Sequence, residues 1–360
     1  MSDPVVLSEV EQWPAFGLSR ADKEMCLLAE LKRLTDCHRA TCQPYRNLID
    51  KFGQYAPAEN LEALPFLPVR LFKHLRLLSI PESEVVKTMT SSGTSGQRVS
   101  QIFLDKYTAS LQVKVLARIM SDFIGPKRLP MLVIDSRATV SDRYRFSARA
   151  AGIQGFSIFG RDVEFALNED MTLNIERIER FLKKYPEQKI LLFGFTFIIW
   201  RHLVLALEAL GSVLDLRRGV LVHGGGWKQL QSQAVSHEEF KRRLGSIAGL
   251  TQINNYYGMV EQTGSIFMEC EHGHLHTSSW SEIVIRDPLN FHPLPQQRPG
   301  LIQLLSVIPH SYPGHSLLSE DLGEILGVDD CACGRQGTYF RVHGRIQNSE
   351  TRGCSDTYSS

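Results

Sequence analysis

No run of apolar residues in this chain is long enough to cross a bilayer. The longest, from residue 190 to 200, is interrupted by Gly194 and Thr196, whereas a spanning helix needs about 18 or more apolar residues. The opening Met-Ser-Asp-Pro-Val-Val lacks a basic start followed by an apolar core, so no secretory signal is expected. Charge of one sign is not in excess either: 40 Lys and Arg face 39 Asp and Glu, a net charge of +1. Nucleic-acid binders usually carry a strong basic surplus, so no nucleic-acid partner is expected. The 7 cysteines are odd in number and scattered at positions 26, 37, 42, 270, 331, 333 and 354. They make no disulfide framework and read as reduced thiols or metal ligands in a cytoplasmic protein. Internal repeats, low-complexity tracts and a Pro/Gly-rich linker are also missing.

What is present is an ordinary soluble composition, 43% hydrophobic and 22% charged over 360 residues, enough for one large or two moderate domains. Ser19-Arg-Ala-Asp22 offers a capping box, and Met25, Leu28, Leu31 and Leu34 follow at helical spacing. Short apolar runs at Met131-Leu-Val-Ile134, Lys189 to Phe193 and Gly219-Val-Leu-Val222 alternate with helix-length segments, including 197–210. That alternation predicts a layered α/β sheet with its sites at strand ends. The last third changes character: Glu282 to Arg286 and Leu301 to Leu305 read as strands, with turns between them and no long helix. The expected division is an α/β core over 1–280, a β-rich subdomain over 281–345 and a short tail over 346–360.

Four short motifs carry chemistry. Thr90-Ser-Ser-Gly-Thr-Ser-Gly96 is small and hydroxyl-rich, and such a loop wraps phosphate oxygens with backbone N–H and hydroxyl donors; a plain Ser/Gly linker would look the same. No Gly-Lys-Ser/Thr closes it, which excludes a Walker loop. Asn254-Asn-Tyr-Tyr-Gly-Met-Val-Glu-Gln262 places Glu261 just after a Tyr257-Gly258 turn. A carboxylate there suits Mg2+ held against a triphosphate, and a surface turn acid is the bland alternative. Ser319-Glu-Asp-Leu-Gly323 sets Asp321 before a glycine turn, and His343-Gly-Arg-Ile346 sets Arg345 after one. An Asp accepts both ribose hydroxyls, and an Arg offers a planar donor fork.

In this order the motifs resemble those of the adenylate-forming superfamily. The chain is more closely similar to the acyl-protein synthetases of bacterial bioluminescence, which activate acids for a fatty acid reductase complex. The likeness runs through Leu34-Thr-Asp-Cys-His-Arg-Ala-Thr-Cys42, Pro65-Phe-Leu-Pro-Val-Arg-Leu-Phe-Lys73, the Thr90–Gly96 loop, His223-Gly-Gly-Gly-Trp-Lys228, Tyr257-Gly-Met-Val-Glu-Gln262 and Arg352-Gly-Cys-Ser-Asp-Thr-Tyr358. It implies ATP-dependent activation of a carboxylic acid, a long-chain fatty acid first, to acyl-AMP, with transfer to a thiol and a partner reductase. It also implies that Ser92, Thr94 and Ser95 meet the ATP phosphates and that Gly93 and Gly96 shape the loop. Gly224, Gly225, Gly226 and Tyr257 would meet adenine, Glu261 would bind Mg2+, Asp321 the ribose, and Arg345 the ribose or a phosphate. An acid:CoA ligase, an aryl-acid-activating enzyme and an inactive scaffold subunit stand as alternatives.

Three departures from the superfamily pattern matter. Gln97-Arg-Val-Ser100 replaces the usual Lys after the loop, leaving Arg98 as a stand-in, and Val260 sits where Thr is normal. Only 15 residues follow Arg345, short of a domain of about 50, so the mobile C-terminal domain with its catalytic Lys is expected to be absent. Lys228 is the candidate replacement cation, although an exposed Lys opening a helix reads equally well. Cys354, near the end of the chain, is expected by resemblance to receive the acyl group. Cys270-Glu-His-Gly-His-Leu-His276 and Cys331-Ala-Cys333 supply enough thiolates and imidazoles for tetrahedral zinc. Spacing alone does not choose among His272, His274 and His276; a similar set in the phenylacetate–CoA ligase branch aligns best with His276, giving Cys270, His276, Cys331 and Cys333.

Overall fold

The structure is a computed structural model that describes residues 10–53, 55–91, 98–141, 148–227 and 234–346. The loop residues Ser92–Gly96, Lys228 and Cys354 lie outside the described residues. Two compact units form, and the first is discontinuous, drawing 281–345 together with the N-terminal helices and residues 98–122. The expected boundary at 280 is therefore not where the units divide. The reason is long-range bonding: Lys23, in the first long helix, pairs with Glu282 at 3.0 Å.

Residues 123–257 make up the other unit. Its sheet is parallel, in the spatial order Gln252–Tyr257, Gly219–Gly224, Ile190–Phe195, Leu129–Ser136 and Gly160–Leu167. The three runs legible in the sequence are its central strands. Ile190–Phe195 and Gly219–Gly224 are buried at every position, as strands covered on both faces must be. Helices Ala148–Ser157, Ile175–Lys184 and His237–Ala248 separate the strands in sequence. The helical stretch after Phe195 includes a π-helical turn at Trp200–Val204. The strand order reverses between Leu129–Ser136 and Ile190–Phe195, and ligands of such sheets bind outside the strand ends at that reversal.

In the first unit, antiparallel strands follow the order Ser281–Arg286, Gly300–Ser306, Ser316–Val328, Thr338–Arg345, Leu275–His276 and Phe267–Glu269. This is the β-rich last third that the sequence predicts. Helix Arg20–Thr41 starts where expected, with the Ser19 hydroxyl accepting from the Asp22 N–H at 3.3 Å. Its inward face differs from the expected one. Met25 is 56% exposed, and the buried positions include Lys23, Cys26, Leu27, Leu31, Leu34, Thr35 and His38. Polar residues with buried partners occupy part of that face, so apolar spacing alone misplaces it. Among the described residues no helix is long and apolar enough to cross a membrane.

Two of those partners form a neutral histidine pair. His38 Nε2 donates to the Pro309 carbonyl at 3.1 Å, so its Nδ1 accepts from the Ser79 hydroxyl at 2.8 Å. Thr35 spends its proton on the Leu31 carbonyl at 2.8 Å, so His315 Nε2 must donate to the Thr35 oxygen at 2.9 Å. The two rings lie 5.0 Å apart. Desolvation drives His38 well below the ordinary imidazole value, and burial carries His315 down to about 3. Unfolding restores an affinity near pKa 6.5. The stabilisation is thus complete above about pH 6.5, and each histidine removes up to about 1.4 kcal/mol per pH unit as pH falls below it. Urea midpoints measured between pH 7.5 and pH 5 should fall, and His315→Gln should flatten the slope by the share of one proton. An unchanged slope would mean that His315 is not held neutral.

Candidate active site

Each unit carries part of the chemistry that the motifs announce. Gly219–Gly224 and Gln252–Tyr257 end side by side, with Gly224 opposite Tyr256. A side chain at Gly224 would sit 2.5 Å from the Tyr256 ring, so only glycine lets the tyrosine lie against this strand end. Gly225 and Gly226 are exposed, and a Cβ on Gly226 would meet nothing within 4 Å. The result is a bare stretch of backbone of the kind a planar base can approach. Beside it lies a cavity of about 170 Å³ walled by Thr196, His223, Gly225, Trp227, Phe240 and Asn255. The Thr196 hydroxyl lies 2.9 Å from His223 Nδ1 and 3.2 Å from the Gly224 carbonyl. A carbonyl can only accept, so the hydroxyl proton goes there and His223 donates through Nδ1. Trp200 packs edge-on to Trp227 with ring centres 5.5 Å apart, backing the cavity wall with its π-helical turn.

At the reversal point the residue after the apolar run Met131-Leu-Val-Ile134 is Asp135. The structure adds Arg149, whose Nε lies 3.2 Å from Asp135 Oδ2. The other carboxylate oxygen accepts from the Ser136 N–H and the Thr139 hydroxyl, both at 2.7 Å. Desolvation raises the Asp135 pKa, and Arg149 offsets part of that rise. No spacing rule links Asp135 to a guanidinium on the following long helix, which is why sequence reading missed it.

In the first unit, Glu261 sits in a single 3₁₀ turn, Val260–Gln262, and is 6% exposed. Burial raises its pKa, while the neighbouring Ser100 hydroxyl and, more weakly, the charge of Arg345 act to lower it. Among the described residues no basic side chain lies within ion-pairing distance of it. A buried carboxylate in that condition gains from a cation, so the position fits a metal ligand. Asp321 and Arg345 face each other across the strands Ser316–Val328 and Thr338–Arg345, with Arg345 Nε 3.5 Å from Asp321 Oδ1. The two motif residues, 24 positions apart in sequence, thus form one local pair. Arg98 is exposed.

The Cys/His motifs also converge. Cys270-Glu-His-Gly273 and Cys331-Ala-Cys-Gly334 each close a turn, the glycine N–H bonding to the first cysteine's carbonyl at 3.0 and 2.9 Å. Both glycines adopt positive φ, +78° and +79°. Strand Leu275–His276 pairs with the strand that follows the second turn, bringing His276 opposite Tyr339. The ligand atoms of Cys270, His276, Cys331 and Cys333 all lie within 4.8 Å of one another. Cys270 and Cys331 sulfurs are 3.9 Å apart, and Cys333 Sγ is 3.4 Å from His276 Nε2. A tetrahedron with zinc–sulfur bonds of about 2.3 Å has edges of about 3.8 Å, so the spacing fits zinc and is too long for a disulfide. Burial pulls His276 down to about 4, keeping the imidazole neutral, and pushes Cys331 up to about 12. His274 Nδ1 lies 3.4 Å from Cys331 Sγ, and His272 is exposed.

Comparison with known proteins gives these features a family. Over 372 aligned residues the chain is 23% identical to the long-chain-fatty-acid–luciferin-component ligase of Vibrio harveyi, covering 99% of this chain and 92% of that protein. The Aliivibrio fischeri ligase of the same name is 21% identical, covering 87% and 82%. Among solved structures, a 2-hydroxyisobutyryl-CoA ligase in an open conformation with 2-HIB-AMP and CoA superposes with a TM-score of 0.68 at 18% identity. That match covers 97% of this chain and 81% of the other, and it establishes an adenylate-forming fold. The family model for the acyl-protein synthetase LuxE matches residues 2–360, and the chain belongs to that family.

Proposed function

We propose that this acyl-protein synthetase activates a long-chain fatty acid and passes the acyl group, as a thioester on its own Cys354, to a partner reductase. The reaction type is AMP-forming. A carboxylate is a poor electrophile, because direct attack would have to expel oxide. Its oxygen instead attacks the α-phosphorus of ATP, the bond to pyrophosphate breaks, and the acyl carbon gains AMP as a stabilised leaving group. A thiolate then attacks the carbonyl and AMP departs. The fatty acid and the luciferin-component partner rest on the names of the two Vibrio-type relatives.

The observation that carries this reading is Glu261, a buried acid without a basic partner among the described residues, placed directly after the Tyr257-Gly258 turn. In the proposed arrangement Glu261 holds Mg2+, which supplies charge neutralisation on the phosphates. Asp321 receives the ribose hydroxyls and Arg345 the ribose or a phosphate. Gly224 to Gly226 and Tyr257 meet adenine. Ser92, Thr94 and Ser95, with Gly93 and Gly96, take the phosphates, and Lys228 adds a cation. The cavity beside Gly225 receives the carboxyl end of the acid. Its volume, about 170 Å³, is close to that of a cavity that takes benzene, about 150 Å³, so it suits the first few carbons of a chain. Cys270, His276, Cys331 and Cys333 hold a structural zinc.

Changes around a metal ligand already cost about 10- to 100-fold in affinity or activity. Removing the ligand itself by Glu261→Gln should therefore slow acyl-adenylate formation by at least about 100-fold, with the melting temperature little changed. A near-normal rate at limiting magnesium would remove Glu261 from this role. Metal analysis of tag-free protein should find one zinc per chain, and chelation should lower the melting temperature. Zinc-free protein that ignores the chelator would discard the structural metal. Cys354→Ser should still release pyrophosphate on meeting its acid and ATP, yet lose hydroxylamine-sensitive labelling by radioactive fatty acid. Normal labelling of that variant, or transfer by the wild type to CoA alone, would turn the reading toward an acid:CoA ligase.

A further inference from the structure

The turn that carries Glu261 is too short to hold itself. Its own bonds use the carbonyls of Met259, Val260 and Gln262, which accept from the N–H groups of Gln262, Thr263 and Ser265 at 3.1, 3.4 and 3.1 Å. The carbonyl of Glu261 itself is left over, and a three-residue 3₁₀ turn has little internal stiffness. That carbonyl is met from elsewhere in the unit. The hydroxyl of Tyr312 donates to it at 3.0 Å. One position away, the Gln262 amide donates to the carbonyls of Gly314 and Leu304 at 2.8 and 3.1 Å. A Cβ at Gly314 would stand 2.9 Å from the Glu261 carbonyl oxygen and closer still to the Tyr312 ring, so the absence of a side chain lets the tyrosine and the turn meet at this point.

The segment is anchored in its own right. Ser311 donates through its N–H to the Thr108 hydroxyl at 3.2 Å and through its own hydroxyl to the Phe103 carbonyl at 2.8 Å, and its carbonyl accepts from the Ser79 N–H at 2.9 Å. Tyr312 is fully buried, edge-on to Phe72 with ring centres 6.1 Å apart. The phenol burial pushes its pKa upward, with the nearby Glu261 charge adding to the rise, so the hydroxyl keeps its proton as a donor. A polar hydroxyl placed this deep, spent on one backbone carbonyl, fixes that carbonyl rather than adding packing.

We infer that Tyr312 is a positioning residue for Glu261: its hydroxyl clamps the turn so that the buried carboxylate stands ready for the metal. The inference rests on the reading of Glu261 as the magnesium ligand. Tyr312→Phe keeps the ring and its packing and removes only the clamp. Mn2+ serves as the probe, titrated by electron paramagnetic resonance into the full-length protein with a non-hydrolysable ATP analogue. The variant should bind Mn2+ about tenfold more weakly, as expected for a group one shell removed from the metal, while the analogue alone binds as in wild type. Gly314→Ala presses on the Tyr312 ring and on the same carbonyl and should weaken Mn2+ in the same direction, which carries the test should Tyr312→Phe not fold. Phe72→Leu loosens the ring without touching the hydroxyl and should lower the melting temperature with Mn2+ affinity held within about twofold. Unchanged Mn2+ affinity in folded Tyr312→Phe, or an equal loss in Phe72→Leu, overturns the clamp. Unchanged affinity in Glu261→Gln instead overturns the magnesium reading itself.

Discussion

The register of one antiparallel pair, Ser316–Val328 with Thr338–Arg345, decides where the first unit puts the Asp321–Arg345 pair and its Cys/His cluster. At one end Asp321 stands opposite Arg345; at the other, Val328 stands opposite Thr338 and the connecting turn holds Cys331 and Cys333. Seven residue steps at about 3.4 Å separate the two ends, about 24 Å. A slip of one residue would turn every side chain of a strand to the opposite face. Register shifts at Leu322/Gly323 and Ile325/Gly327 show that the pairing is irregular, and irregular pairing needs fixing at its ends. The Cys/His cluster supplies such a fix, because His276 belongs to the neighbouring strand and meets Cys333 across the sheet. A metal held there would act on Asp321 and Arg345 through strand register, without approaching them.

Three buried acids show how the fold separates structure from chemistry. Glu282 is matched by Lys23 at 3.0 Å, with Thr277 taking a second lysine proton at 2.6 Å. Asp135 is matched by Arg149, and two further donors, the Ser136 N–H and the Thr139 hydroxyl, lie on its strand end and the short helix after it. Such pairs hold elements in place, and breaking one leaves an uncompensated charge. Burial pulls the Lys23 pKa down even with Glu282 beside it, a measure of how costly that environment is for a lone ion. Glu261 meets the same environment with a serine hydroxyl and a more distant guanidinium. Burial raises its pKa as it raises that of Asp135, but among the described residues no ion pair answers it, and that sets it apart from the two acids that are already balanced.

The sequence made legible what depends on continuous apolar runs or on residue chemistry. The strands Ile190–Phe195 and Gly219–Gly224 announce themselves because both faces are buried. The thiols and imidazoles at 270–276 and 331–333 do so because few other roles gather them. Strands Gln252–Tyr257 and Thr338–Arg345 were not legible, since most of their positions are part-buried or exposed and many carry polar residues. The inward face of Arg20–Thr41 was misread for the same reason, because Lys23, Thr35 and His38 count as outward in any apolar pattern and are buried by partners hundreds of positions away.

Tyr312 marks the limit of motif reading most clearly. Nothing in Ser311-Tyr-Pro-Gly314 suggests a connection to Glu261, 51 residues earlier, and a buried tyrosine is ordinarily assigned to the core. Only the leftover carbonyl of the 3₁₀ turn gives the hydroxyl a purpose. The same segment reaches back to His38 through the Pro309 carbonyl and forward to Ser306 through that of His315. The neutral histidine pair and the acidic turn are therefore held by one stretch of backbone. Protonating His38 would cost the bond that its Nδ1 accepts from the Ser79 hydroxyl, and Ser79 is itself bonded through its N–H to the Ser311 carbonyl, next to Tyr312. Acidification would thus act one residue away from the segment that, under the proposed function, positions Glu261, even though the imidazoles and the carboxylate never touch.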